Sequence, residues 1–284
     1  MAIPERRMRK HRYSDVGSCI YCFSDGEGLG LRTEHIIPGG LGGRLELPRA
    51  SCHKCEKETH AFEGKVLGGM YGYTRAHLGI RREKSSKKKW PAALPVTVSS
   101  ASGTSQVEVP IELHPHLTTV IKWRPPEIYV GIPPDDSGIK GALMDGMSDG
   151  RMWEKAANVA KGSGGGRVSL NHGGVHVDEF ARFLAKIGHS FAVAERGLND
   201  FNPFLLNAIL NKRPMYLSYY VGMTTASGSP KPDVHEINIR EEKVDGRNLL
   251  IVRIQLFADI GVVNRDKSIS SMPAYDVVAG QIHE

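Results

Sequence analysis

The sequence has no apolar run approaching the roughly 18 residues that a membrane-spanning helix requires. Its opening residues, MAIPERRMRKHRY, are basic but carry no apolar segment of the secretory-signal kind. The expectation is a soluble, cytoplasmic protein with no membrane partner. Cysteine is scarce: there are four in 284 residues, at Cys19, Cys22, Cys52 and Cys55. Without a secretory signal, such clustering favours metal binding over a disulfide framework. There is no internal repeat and no phosphate-binding loop. KGSGGGR at 161–167 lacks the spacing and the Lys-Ser/Thr ending of one, and reads as an ordinary loop.

What is present fits a globular chain. Hydrophobic residues make up 40% and charged residues 24%, which excludes wholesale disorder. The length suits a small domain followed by a larger one. Charge is uneven: residues 1–90 hold 18 Lys+Arg against 10 Asp+Glu, whereas the remaining 194 carry a balance of −2. A polyanion contacted by the N-terminal third follows. Its candidate contacts are Arg6, Arg7, Arg9 and Lys10 on one side of the cysteines and Arg81, Arg82, Lys87, Lys88 and Lys89 on the other. The expected organisation is a mobile basic arm (1–14), a cysteine domain (15–83), a basic linker (84–93) and a mixed α+β domain (94–284).

Within the cysteine domain, residues 29–37 read as a strand ending in Pro38. GGLGG reads as a flexible turn, 44–50 as a short extended segment, and 56–70 as a helix broken near Gly68-Gly69. This strand–turn–strand–helix unit is too small for a large core and would rely on a metal as its staple. Farther on, 94–100 and 106–113 alternate as a hairpin, 118–123 and 127–130 read as strand, and 152–160 as a short helix. The clearest helix is 177–196, with Phe180, Leu184, Ile187 and Phe191 at helical spacing. Its His189 and aromatic residues read as core. Residues 201–210 suggest a shorter helix, and 236–240, 249–257 and 275–279 read as strands. His172 and His176 have no further ligand-type partners. Nothing in 94–284 names a substrate, which leaves target recognition, homodimer formation or contact with a partner protein as its expected roles.

The sharpest signal is C-x2-C, 29 residues, C-x2-C. Each pair turns two thiolates toward one point, and four such ligands suit a closed, structural zinc. His53, inside the second pair, is superfluous to that set and reads as exposed. Between the pairs lies Glu34-His35. Neighbours on an extended segment project in different directions, so they are suited to separate roles. A neutral histidine, with a reference pKa near 6.5, can take a proton from water, and a carboxylate can hold a hard divalent ion.

Cys19-x-x-Cys22, Glu34-His35-Ile36-Ile37-Pro38, Gly42-x3-Glu46-Leu47-Pro48 and Ser51-Cys52-x-x-Cys55 together resemble the HNH endonucleases, which pair a ββα-metal (treble-clef-like) fold with a four-cysteine zinc. The resemblance covers residues 19 to about 63. It implies hydrolysis of DNA phosphodiesters, with His35 as general base and Glu34 as first ligand of a catalytic Mg²⁺ or Mn²⁺ that stabilises the leaving 3′-oxygen. It also implies a bacterial or phage setting, antiphage defence included. Two positions depart from the family. Leu47 stands where an asparagine usually orients the base, and no asparagine occurs between His35 and Glu63. Glu56 follows the last cysteine where His or Asn is usual. Glu56, His60 and Glu63 fall at i, i+4 and i+7 of the expected helix, and any of the three can complete the ion's site. The alternatives are a zinc-dependent nucleic-acid-binding module without catalysis, and the same chemistry on RNA.

Overall fold

The structure is a computed structural model describing residues 10–26, 28–80, 91–148, 150–170, 174–224, 229–263 and 269–283. Two short strands, β1 (His11–Arg12) and β2 (Arg32–His35), flank β3 (Leu45–Ser51), the first parallel and the second antiparallel to it. The end of the expected mobile arm is therefore a paired strand. GGLGG is ordered too. It forms a single 3₁₀ turn over Gly39–Leu41, with Gly40 and Leu41 buried and Gly42 at φ 84°. Gly43 cannot carry a side chain, because a Cβ there would lie 2.0 Å from the Ile37 carbonyl oxygen.

Cys52 heads α1 (His53–Gly64), which begins three residues earlier than the sequence suggests. A π-helical stretch, Lys65–Met70, carries the chain across Gly68-Gly69 without a break and into α2 (Gly72–His77). Gly69 serves close approach instead, since a Cβ there would lie 2.8 Å from the Gly174 oxygen.

After the segment 81–90 come the hairpin β4 (Ala93–Ser100) and β5 (Gly103–Pro110), then β6 (Thr118–Lys122) paired with β7 (Leu143–Met147). Glu127–Val130 is not a strand. It is one 3₁₀ turn, enclosed by Pro126 and by Gly131 at φ 66°. α3 (Met152–Gly162) leads to β8 (Arg167–Ser169), which adds to the free side of β4. The long helix α4 spans Val177–Arg196, as its periodicity predicts. The helix expected over 201–210 is instead β9 (Phe201–Pro203) and one turn, α5 (Leu206–Ile209). Pro203 holds Asn202 extended, so helix cannot begin until the proline is passed.

The last part runs α6 (Leu217–Tyr220), β10 (Val221–Thr224), β11 (His235–Val244), β12 (Arg247–Leu256), β13 (Gly261–Val263), β14 (Ile269–Ser271) and β15 (Ala274–Ile282). Its main sheet is antiparallel in the order β10-β15-β12-β11, with β9 also on β15. Asp245 and Gly246, both at positive φ, make the tight turn between β11 and β12. Among the described residues no helix is long and apolar enough to cross a membrane. The architecture is mixed α+β, with small sheets around one long helix.

That helix organises the molecule. From Phe180 to Val193 every α4 residue except Arg182 is buried, which marks a helix packed on all sides. One side lies on β12 and β15, where Gly188 permits contact so close that a Cβ would come 2.5 Å from Val277 Cγ1. Another side meets α1 and the cysteine segment. A single apolar core runs from Ile20, Tyr21, Ile36, Ile37 and Phe62 through Phe180 and Phe183 to Val252 and Tyr275. The cysteine segment thus takes its core from α4 as well as from itself, and does not depend on a metal alone.

Candidate functional site

The two Cys-x-x-Cys pairs converge. All four Sγ atoms lie within 4.8 Å of one another, with Cys22 and Cys52 3.7 Å apart. Four sulfurs at about 2.3 Å from a tetrahedral zinc stand about 3.8 Å apart, so the set fits that ion. Tight local turns hold the first pair, with Phe23 N–H donating to Cys19 O and Cys19 N–H to Ser24 O. A hydrogen bond from the Cys55 thiol, opposed by burial and assisted by the backbone N–H groups of Cys52, Tyr21 and Cys22, lowers the Cys19 thiol to about 4. The same partnership pushes Cys55 up. The Cys55 thiol, with the backbone N–H groups around it, thus favours a thiolate at Cys19. Among the described residues no other group of three or more His, Cys, Asp or Glu side chains converges in this way.

Ile20 and Tyr21, between the first two cysteines, are fully buried and plug the pair into α4. His189 lies 2.7 Å from the Ile20 carbonyl and Tyr21 Oη 3.1 Å from Ser190 Oγ. The first cysteine loop is thereby fastened to the long helix.

Beside this frame opens a cleft of about 870 Å³, lined by Arg32, Glu34, His35, Arg44, Glu46, Glu56, His60, Glu63 and Lys186 among others. Strand alternation separates the central pair. On β2 the Glu34 side chain turns inward and is 6% exposed, while His35 faces the cleft. β3 sets Glu46 directly opposite His35 and Leu47 opposite Glu34. The leucine at the asparagine position is buried core, and the carboxylate neighbouring His35 across the hairpin is Glu46. From α1, the three alternatives separate. Glu56 pairs with Arg32 at 2.6 Å, His60 is exposed on the cleft wall, and Glu63 is buried and turned toward Glu34. His53 is exposed.

What joins Glu34 to Glu63 is a residue from outside the motif. Lys186 of α4 is 1% exposed, and its Nζ lies 2.5 Å from Glu34 Oε1 and 3.0 Å from Glu63 Oε1. The same ammonium donates to the carbonyls of His35 at 2.5 Å and Ile36 at 3.4 Å. Burial works against its charge, but the two carboxylates outweigh burial and raise its pKa. Burial raises Glu34 in turn, with Lys186 pulling it back and Glu63 adding to the rise. As it stands the carboxylate pair is closed on an ammonium, and it does not fit a divalent ion at the same time.

Two further groups fix the Gly39–Leu41 turn, whose Gly39 and Gly40 line the cleft. Arg75 holds the Gly40 and Leu67 carbonyls at 2.5 and 2.9 Å. His235 of β11 accepts from Phe257 N–H through Nδ1 at 3.1 Å, so Nε2 carries the proton and donates to Leu41 O at 2.7 Å. Burial lowers this histidine to about 4, and it stays neutral.

Of the expected nucleic-acid contacts, Lys10 is exposed and lies 3.8 Å from Glu46. Arg6, Arg7, Arg9, Arg81, Arg82, Lys87, Lys88 and Lys89 lie outside the described residues. Arg32 and Arg44, which the charge count alone did not single out, line the cleft. Lys186 was also missed. Its signal was a lone lysine amid FLAKIGHSF, with apolar residues on every side of the helix. No family model, curated protein or solved structure matches the chain.

Proposed function

We propose that this chain is a phosphodiester hydrolase of the HNH endonuclease type, acting on DNA. The observation that carries the reading is the division of Glu34 and His35: a buried carboxylate and a cleft-facing histidine on one strand, beside a four-cysteine frame and between arginines. Phosphodiester hydrolysis needs a base for the attacking water and positive charge for the phosphate oxygens. His35 takes the water's proton. Arg32 and Arg44 line the wall along which a phosphate backbone would lie, and Glu46 stands across the hairpin from His35 with its carboxylate paired to Arg12 at 3.1 Å. The cysteine frame, loaded with structural zinc, fixes the hairpin against α1. A Mg²⁺ or Mn²⁺ at Glu34 with Glu56, His60 or Glu63 belongs to the family resemblance, but Glu34 and Glu63 do not fit it while Lys186 lies between them.

The same closure favours a second reading, a zinc-dependent nucleic-acid-binding module without catalysis. Incubating the zinc-loaded protein with supercoiled plasmid, with and without Mg²⁺ or Mn²⁺, separates the two. The nuclease reading expects nicking that falls by about 10²-fold or more in His35→Ala. Tight binding without nicking, or equal activity in the variant, refutes it. Single-stranded DNA and RNA as substrates decide which nucleic acid is cut.

A further inference from the structure

We propose that Lys186 is a resident cation that competes with divalent metal ions for the Glu34–Glu63 pair. The inference concerns the same cleft as the nuclease reading and rests on its geometry. It is tested by metal binding, so either can fail without the other.

The ammonium and an incoming ion would use the same two oxygens. A hard divalent ion bonds carboxylate oxygens at roughly 2.0–2.6 Å. Lys186 Nζ already lies 2.5 Å from Glu34 Oε1 and 3.0 Å from Glu63 Oε1, so the two cations would occupy overlapping space. Charge forbids sharing as firmly as volume, because a dication and an ammonium a few ångströms apart repel strongly in a partly desolvated site. Lys186 is also anchored independently of the carboxylates through the His35 and Ile36 carbonyls, which holds it in place when the carboxylates are contested.

The pair nevertheless keeps features of a binding site. It opens onto the cleft, and Glu63 Oε1 is buried with the ammonium 3.0 Å away. Lys186 holds it by charge and by a side-chain hydrogen bond, and an ionised carboxylate oxygen still offers a second lone pair. The lysine comes from α4, not from the hairpin and helix that carry the carboxylates. Any shift of α4 relative to α1 would therefore change how firmly the pair is closed.

The test is a Mn²⁺ titration of full-length, zinc-loaded protein, followed by electron paramagnetic resonance of free Mn²⁺. Lys186→Met is expected to gain a single Mn²⁺ site at least about tenfold tighter than the native chain, a difference of about 1.4 kcal/mol. Adding Glu34→Gln should abolish the gain. Lys186→Gln keeps a donor for the His35 carbonyl while removing the charge, and is the measurement of record if Lys186→Met does not fold. Equal Mn²⁺ affinity in native and charge-removed proteins overturns the proposal, since Lys186 would not compete. So does the absence of any Glu34-dependent Mn²⁺ site in the variants, since the carboxylates would then be only the lysine's counter-charges.

Discussion

Removing the Lys186 ammonium should destabilise the protein far more than removing one of its carboxylates. The native trio holds two carboxylates, 6% and 7% exposed, and one ammonium at 1%. Lys186→Met leaves two buried like charges with no counter-ion and takes a donor from the His35 carbonyl. Breaking a buried ion pair from one side costs about 3–5 kcal/mol. Glu34→Gln, by contrast, leaves Lys186 with Glu63 as a balanced pair and should cost no more than about 1.5 kcal/mol. At about 2–4 °C per kcal/mol for a chain of this size, the first loss corresponds to a midpoint drop of roughly 6–20 °C. Urea unfolding of zinc-loaded protein in divalent-free buffer measures both. Burial already raises Glu34, and without the lysine its carboxyl rises further and takes a proton nearer neutrality. A carboxyl raised in the folded state favours folding below its unfolded pKa and loses that advantage as pH climbs through its folded pKa. The Lys186→Met deficit should therefore be smaller at pH 5 than at pH 8. Glu34→Gln as damaging as Lys186→Met, or a deficit that grows toward low pH, would refute the account of the trio.

Three other outcomes follow from named contacts. Chelating zinc, or Cys52→Ser, should raise hydrogen exchange around residues 17–29 and 51–55 while β12 and β15 stay protected, because the cysteine segment leans on α4. His235, lowered to about 4 in the folded state against about 6.5 unfolded, makes stability fall as pH drops from about 6.5 to 4, by up to about 3 kcal/mol. His235→Gln, compared by denaturant unfolding across that range, should remove about one proton's worth of slope. Gly43→Ala should cost more than about 2 kcal/mol in thermal unfolding, because its methyl would meet the Ile37 backbone at 2.0 Å, whereas Gly39→Ala meets nothing within 4 Å and should be nearly neutral.

Local signals in the sequence were enough for the convergence of the four cysteines, the opposite facing of Glu34 and His35, and helix 177–196. Each depends on spacing along the chain: two-residue gaps that fold thiols together, strand alternation that parts neighbours, and a 3.6-residue period. Local reading failed where a neighbour overrode it. Glu127–Val130 has strand-like residues but lies between a proline and a left-handed glycine, and Gly69 stands inside a helical stretch because the close passage of Gly174 leaves no room for a side chain. The cleft divides the same way. The hairpin and α1 supply its carboxylates and histidines within about 30 residues, so a motif can carry them. Lys186 reaches them from some 150 residues away, across a helix buried on all sides. No pattern in sequence could tell whether that lysine was a solvated side chain or the cation between Glu34 and Glu63. Only the packing of α4 against α1 decided it, because burying an ammonium is tolerable only where two carboxylates and a carbonyl already wait.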